Sequence, residues 1–296
     1  MDPALLLGQI FNGFSVGSLY LLAALGLALS FGLMRVINMA HGEMLMLGGY
    51  LAWGTLQVVS GPWGIIVALP VAFIGAAIFG AILHTALIAR LSARPLDTLL
   101  ATWGVSLVLQ QAARSLFGAI GVEVTAPAWL DGAVAIGGAS LPYARLFILG
   151  VAALVLGGLA LLLARSRIGL LVRAVNQDRM MAAATGIDVN RIDLIVFSLG
   201  TGIAGLAGVV LALLGPVTPT VGQSYIVPAF LVVVMGGLGS ITGTVAAALI
   251  LGLVVALSQL AVDVSLAQVI LLVFVILFIQ VRPQGVVASR SRSLDA

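Results

Sequence analysis

Asn38, His41 and Glu43 place an amide, an imidazole and a carboxylate within six residues of the stretch NMAHGEMLMLGGY, which is otherwise apolar and holds three glycines. Such groups can relay a proton, meet a cation or hydrogen-bond a polar solute. His41 and Glu43, two positions apart, would point about 200° away from each other on a regular helix. They face one ligand only if the chain breaks between them, and Gly42 would permit that break. Asn38 and His41, three apart, share a helical face. A second polar group, Gln223, Ser224 and Tyr225, lies in GPVTPTVGQSYIVP, where Pro216 and Pro219 stop the preceding helix. A half-helix starting there would direct free N–H groups inward.

Other chemistries find little support. His84 is the only further histidine, the HExxH spacing is absent, and there is no cysteine, so no metal site or thiol catalysis is expected. His84, alone in an apolar run, reads as a satisfied core group. No Ser–His–Asp set lies in a GxSxG context, and no catalytic residue is assigned. GGLGS at 236–240 lacks the preceding strand of a phosphate loop. All thirteen basic residues are arginine. Without lysine the chain cannot bind ATP in the P-loop manner, so it is not an enzyme of that kind and needs no cofactor. If it pumps, another chain supplies the energy.

The elements that must position these groups are apolar helices. Of 296 residues 62% are hydrophobic and 8% charged, and mean hydropathy is +1.25. A soluble domain carries about 25% charged residues, so this chain cannot cover a water-facing surface. Runs such as Leu19–Leu33, Ile65–Ala89, Phe147–Ala164 and Ala246–Leu257 show no dyad alternation. With 36 glycines for close helix approach, they predict an all-α, polytopic membrane protein. Its single transmembrane domain covers residues 1–296, and no cleavable signal is evident. Candidate spans are 5–34, 40–59, 64–89, 96–117, 143–164, 191–214, 225–239, 242–259 and 266–281. Segment 225–239 is short enough to be re-entrant, and 118–142 suits a structured cap at the membrane surface. A helix entering near Arg35 would carry Glu43 about 12 Å deep, close to the middle of a core about 30 Å thick. There it either lines a path or fixes packing against a neighbouring helix.

Arginine sets the orientation. Arg165, Arg167, Arg173, Arg179 and Arg191 crowd loop 165–191, which basic-residue bias places on the cytoplasmic side. Counting outwards puts Arg35, Arg90, Arg94, Arg282, Arg290 and Arg292 inside as well, the N-terminus outside and the C-terminus inside. The net charge of +3 thus reflects loop arginines, not a nucleic-acid footprint. Within residues 178–193 a short Ala-rich helix should precede Gly186, with a second helix capped near Asp188 or Asn190. The chain also rhymes with itself: SLYLLAALGLALSFGL before NMAHGEMLMLGGY, and IVFSLGTGIAGLAGVVLALLG before GQSYIVPAFLVVVMGGLGSITG. Paired interrupted segments of opposite direction point to an inverted repeat around a midplane path.

Four stretches carry a family resemblance: NGFSVGSLYLLAALGLALSFGLMRVINMAHGEMLMLGGYLAW, AVNQDRMMAAATGI, GGLGSITGTVAAA and the terminal RPQG. They resemble permease subunits of branched-chain amino-acid ABC importers. VEVTAPAWL, GQSYIVPAFLVVVMGGLGS and LFIQVRPQG are more similar to the urea-importer branch of that family. The resemblance implies a cytoplasmic (inner) membrane permease of a bacterium, with a second homologous permease beside it. Two cytoplasmic ATP-binding subunits would drive it, and a periplasmic or surface solute-binding protein would feed it. The solute would be urea or, alternatively, a branched-chain amino acid or short-chain amide. The substrate path falls to Asn38, His41, Glu43, Gln223, Ser224 and Tyr225. The ATPase-coupling pattern maps onto Met181, Ala182, Ala183, Ala184 and Gly186. Met181 stands where many importers have Glu, so grip would rest on shape, apolar contact and nearby Arg179.

Overall fold

A computed structural model describes residues 3–34, 36–92 and 94–287. Arg35, Arg290 and Arg292, used above for orientation, lie outside them. Among the described residues six helices are long and apolar enough to cross a membrane. They are α1 (Pro3–Met34), α3 (Gly64–Leu83) with its continuation, α6 (Tyr143–Arg165), α9 (Val189–Ala212), α11 (Ile241–Ser258) and α12 (Val264–Val281). The continuation of α3 is a π-turn, His84–Ile88, leading into the short α4 (Ala89–Leu91). Between and beside these lie α2 (His41–Val58), α5 (Pro95–Phe117), α7 (Arg167–Gln177), α8 (Arg179–Ala184) and α10 (Val221–Gly236). The chain is a multi-pass helical membrane protein. One small sheet accompanies the helices, a hairpin of β1 (Ala133–Ile136) and β2 (Ala139–Pro142).

Two helices form the centre. From Gly17 to Ser30 α1 is buried at nearly every position, and α9 is buried from Gly200 through Ala212 except at Leu206. They cross where Gly26 meets Gly200. A Cβ on Gly26 would come 2.1 Å from the Gly200 carbonyl oxygen, and one on Gly200 would come 2.6 Å from that of Gly26. With no side chain on either partner the backbones touch, which is how helices associate in lipid without a hydrophobic driving force. The same device joins α1 to α11 at Gly17 and Gly252, and α2 to α9 at Gly48 and Gly205.

The order of contacts is inverted between the two halves. α1 packs along α11, with Gly13 near Leu253, Gly17 near Ala248 and Gly32 near Gly239. In the same antiparallel sense α9 packs along α3, with Gly80 against Thr201 and Gly205 against Ala72. Each central helix is followed by a non-helical return and then a shorter helix. Residues 36–40 lead from α1 to α2, and residues 213–220 lead from α9 to α10. α2 runs towards the end of the bundle that carries the hairpin, where the Trp129 indole N–H donates to the Pro62 carbonyl (2.8 Å). α10 runs towards the opposite, arginine-rich end, where the Val286 and Val287 amides bond Met235 and Gly236. That is the pattern of an inverted repeat.

The residues expected as a cap do fold back over the hairpin end. Val122 and Val217 exchange backbone hydrogen bonds of 3.1 and 2.9 Å, and Trp129 packs edge-on against Phe147. Trp63 and Trp129, both exposed there, suit the level at which aromatic side chains meet lipid headgroups.

Candidate solute path and coupling loop

α2 does not enter the bundle as a helix from Arg35. Residues 36–40 are non-helical, and α2 begins only at His41. Asn38 makes this turn: its side-chain oxygen accepts from the Ala40 amide (3.0 Å), and its carbonyl accepts from the His41 amide (3.2 Å). Asx turns of this kind compete with helix and so mark its start. Asn38 and His41 therefore do not share a helical face. The depth of the start follows from His41, whose Nε2 bonds the Ala23 carbonyl of α1 at 3.0 Å. Ala23 lies 11 residues before Met34, the end of α1, or about 17 Å at 1.5 Å per residue. The non-helical segment thus sets the start of α2 inside the bundle.

Gly42 does not break the helix either. It lets α2 touch α10. A Cβ on Gly42 would lie 2.4 Å from the Gly222 carbonyl oxygen, and the reciprocal distance is also 2.4 Å. Two helices of opposite direction therefore begin at one level, N-terminus against N-terminus. Between these ends and α1, Tyr225 sets its ring edge-on to Tyr20, centroids 6.5 Å apart.

Glu43 is tied to α5. Its Oε1 accepts from Ser106 Oγ (2.8 Å) and Gln110 Nε2 (2.7 Å), and Gln110 also donates to Ser106 Oγ (3.0 Å). Thr102 Oγ1 of the same helix accepts from the Met39 amide (3.1 Å). Thr98, Thr102, Ser106 and Gln110 are buried at four-residue spacing, one polar stripe facing the start of α2. The sequence reading missed this stripe, although polar side chains recurring every fourth residue in an apolar helix were its signal. Among the described residues the Glu43 Oε2, Asn38 Nδ2 and Tyr50 Oη atoms are buried without a hydrogen-bond partner.

The six residues assigned to a solute path fall into two sets. Asn38, His41 and Glu43 are each 1% exposed and engaged within the bundle. Gln223 and Ser224 are exposed on α10, with Tyr225 half-buried beside them. A hollow of about 620 Å³ lies elsewhere, at the hairpin end between Trp53, Gln57, Glu123 and Trp129. His84 is buried against the Phe197 ring, centroids 5.7 Å apart, in the π-turn of α3. It is not the fully satisfied core histidine expected, because its Nδ1 has no partner among the described residues.

At the arginine-rich end, loop 165–191 holds two helices rather than one. Ser166 caps α7 through a bond from the Gly169 amide (3.0 Å), and Asp178 caps α8 through one from the Met181 amide (2.9 Å). Asp188 caps α9 through the Arg191 amide (3.1 Å). Met181, Ala183 and Ala184 are exposed on α8, while Ala182 is buried. Gly186 ends the motif at φ +88°, with its amide bonding Ala183 O and the Ile187 amide bonding Ala182 O. A side chain in that left-handed conformation costs about 1–3 kcal/mol. Gly186→Ala should therefore loosen α8, and we expect several-fold slower transport at unchanged membrane abundance, measured as initial uptake normalised to immunoblot. The Arg179 guanidinium is bound within the chain to Asp193 on α9, at 2.6 and 3.2 Å, and to the Leu33 carbonyl at 3.0 Å.

No solved structure matched the chain. Curated relatives did. The high-affinity branched-chain amino acid transport system permease protein BraD of Pseudomonas aeruginosa is 31% identical over 95% of this chain and 95% of its own length. The corresponding LivH of Salmonella typhimurium is 31% identical over 95% and 94%. A probable branched-chain amino acid transport permease protein LivH of Methanocaldococcus jannaschii is 29% identical over 91% and 88%. A family model described as the permease component of the branched-chain amino acid transport system matches residues 9–280. The half-helices meeting inside a multi-pass bundle and this end-to-end likeness agree, and the chain belongs to that family of ABC importer permeases.

Proposed function

We propose that this permease carries branched-chain amino acids through the inner membrane of a bacterium, beside a second homologous permease and above two ATP-binding subunits. A solute-binding protein hands the amino acid to the hairpin end, which faces outside with the N-terminus, and the arginine-rich end faces the cytoplasm with the C-terminus. The observation that carries the reading is the meeting of the α2 and α10 N-termini at Gly42 and Gly222 inside the bundle. Each half-helix presents the positive end of its dipole there, and such ends favour a carboxylate-bearing solute. Gln223, Ser224 and Tyr225 form the wall that α10 offers to the path shared with the second permease. Asn38, His41 and Glu43 hold the opposite break in place.

The urea reading rests on three stretches similar to that branch, and a neutral solute would also ask for uncharged groups such as Asn38, Gln223 and Ser224 to converge on it. That convergence is weaker than the sequence suggested, because Asn38 is buried in its own turn while Gln223 and Ser224 lie on an exposed face. The relatives named above are described as amino-acid permeases, and nothing in their descriptions adds to the case for urea. Liposomes holding the permease pair, the ATP-binding subunits and the binding protein should accumulate labelled leucine, isoleucine or valine only with ATP inside. Labelled urea should enter no faster than into protein-free liposomes. ATP-driven urea uptake without amino-acid uptake would overturn the reading.

A further inference from the structure

Arg179 sits at the first position of α8, in the loop assigned to the ATPase, yet its side chain turns into the membrane domain. Both of its terminal nitrogens meet Asp193, in the first turns of α9, with Nη2–Oδ2 at 2.6 Å and Nη1–Oδ1 at 3.2 Å. Nη1 also donates to the carbonyl of Leu33, one residue before the end of α1. The Asp193 side chain is 8% exposed and that of Arg179 44%, so the pair is half shielded from water. A two-pronged guanidinium–carboxylate contact fixes orientation as well as distance. One side chain thus ties α8 to the ends of both central helices at once. Seven residues further along each helix, Gly26 meets Gly200 with no side chain between them. One turn beyond Asp193, Phe197 is fully buried and packs on His84 at the π-turn of α3.

We infer that Arg179 is a positioning residue for transport: its bonds to Asp193 and Leu33 are the joint through which displacement of α8 moves α1 and α9 together. Rigid elements joined at their ends act as levers. The α1–α9 crossing bears directly on the start of α2 through the His41–Ala23 bond, and on α10 through Tyr20 and Tyr225. Without the joint, α8 keeps its cap, its one buried alanine and its packing beside α7 and the start of α9. A partner subunit could then shift α8 without shifting the bundle. The inference rests on the proposed function, in which separate ATP-binding subunits press on α8.

The test compares Arg179→Gln, Arg179→Lys and Asp193→Asn in the complete complex in liposomes, reading amino acid accumulated per ATP hydrolysed. Arg179→Gln should lower that ratio about tenfold, which corresponds to ~1.4 kcal/mol of lost bonding. Lys keeps the charge and one of the bonds and should lie between it and wild type. The exchange Arg179→Asp with Asp193→Arg restores the ion pair without the Leu33 bond, and should recover only part of the loss. A ratio within twofold of wild type in Arg179→Gln overturns the joint. So does failure of both Arg179→Gln and Arg179→Lys to assemble, since the residue then holds the complex rather than transmitting through it. If wild type shows no ATP-driven uptake, the functional reading fails instead. The joint is then judged on the purified chain, where Arg179→Gln should lose hydrogen-exchange protection in α8, and unchanged protection overturns it.

Discussion

Gly222→Val is expected to cost nearly all of the folded permease, about a hundredfold in yield of monodisperse protein from detergent extracts. Gly150→Val should change that yield by less than about twofold. A Cβ at Gly222 would stand 2.4 Å from the Gly42 carbonyl oxygen, 2.5 Å from its carbon and 2.9 Å from the Glu43 amide. All three are backbone atoms at the start of a helix, so no rotamer change can relieve the contact. Overpacking a site of this kind costs about 3 kcal/mol or more, and each ~1.4 kcal/mol is a factor of ten. Valine adds two methyls beyond that Cβ. The reciprocal substitution Gly42→Val should fail in the same way, because its Cβ meets the Gly222 carbonyl at 2.4 Å. Gly150 makes the control informative. It also lies in an apolar helix, but a Cβ there meets nothing within 4 Å. If Gly222→Val were extracted folded at wild-type yield, α2 and α10 would not meet at their N-termini, and the proposed path would lose its geometry.

The difference between Gly222 and Gly150 also shows what the sequence could and could not reveal. Both are glycines among apolar neighbours, and composition treats them alike. The long runs were legible because a span in lipid must satisfy its own backbone, which forces helix wherever about 20 apolar residues recur. The caps at Ser166, Asp178 and Asp188 were local signals of the same sort, although only that of α9 was anticipated and α7 was not. What failed were statements that depend on a distant partner. Residues 36–40 are nearly as apolar as a helix, and only the Asx turn at Asn38 and the His41–Ala23 bond show that they form a non-helical return. Gly42 was read as a hinge because a glycine between two polar groups permits a break. Its actual use, closeness to Gly222, is 180 residues away in sequence. The bonds of Arg179 could not be read either, because its acceptors, Asp193 and Leu33, lie on two other helices. The resemblance to amino-acid importers was readable from motifs running along the whole chain, whereas the turn towards urea rested on three short stretches, and the relatives' descriptions name amino acids instead.

Glu43 was left between two roles, and its surroundings lead us to propose that it ties α2 to α5. One oxygen receives two hydrogen bonds from α5, from Ser106 at 2.8 Å and Gln110 at 2.7 Å, while the other has no partner among the described residues. No ion pair among the described residues involves it. A charge alone at this depth would be costly, so the oxygen that accepts from both α5 donors is the functional part of the side chain. Glu43→Gln keeps that acceptor in place. It should extract at near wild-type yield and transport within about threefold of wild type, since its new amide replaces an oxygen that bonds nothing. Glu43→Ala removes the acceptor and leaves Ser106 and Gln110 buried without it, at about 1–3 kcal/mol for each unsatisfied group. The truncation adds a void at the α2–α5 contact. The thermal midpoint in detergent, read as monomer surviving on size exclusion, should fall by about 10 °C, and uptake should fall with it. Adding Gln110→Leu and Ser106→Ala to Glu43→Ala should restore much of the midpoint, because polar groups removed together leave none orphaned. Uptake separates the alternatives: if Glu43→Gln folds normally but carries no solute, the carboxyl group itself takes part in transport, and the reading of Glu43 as the tie between α2 and α5 falls.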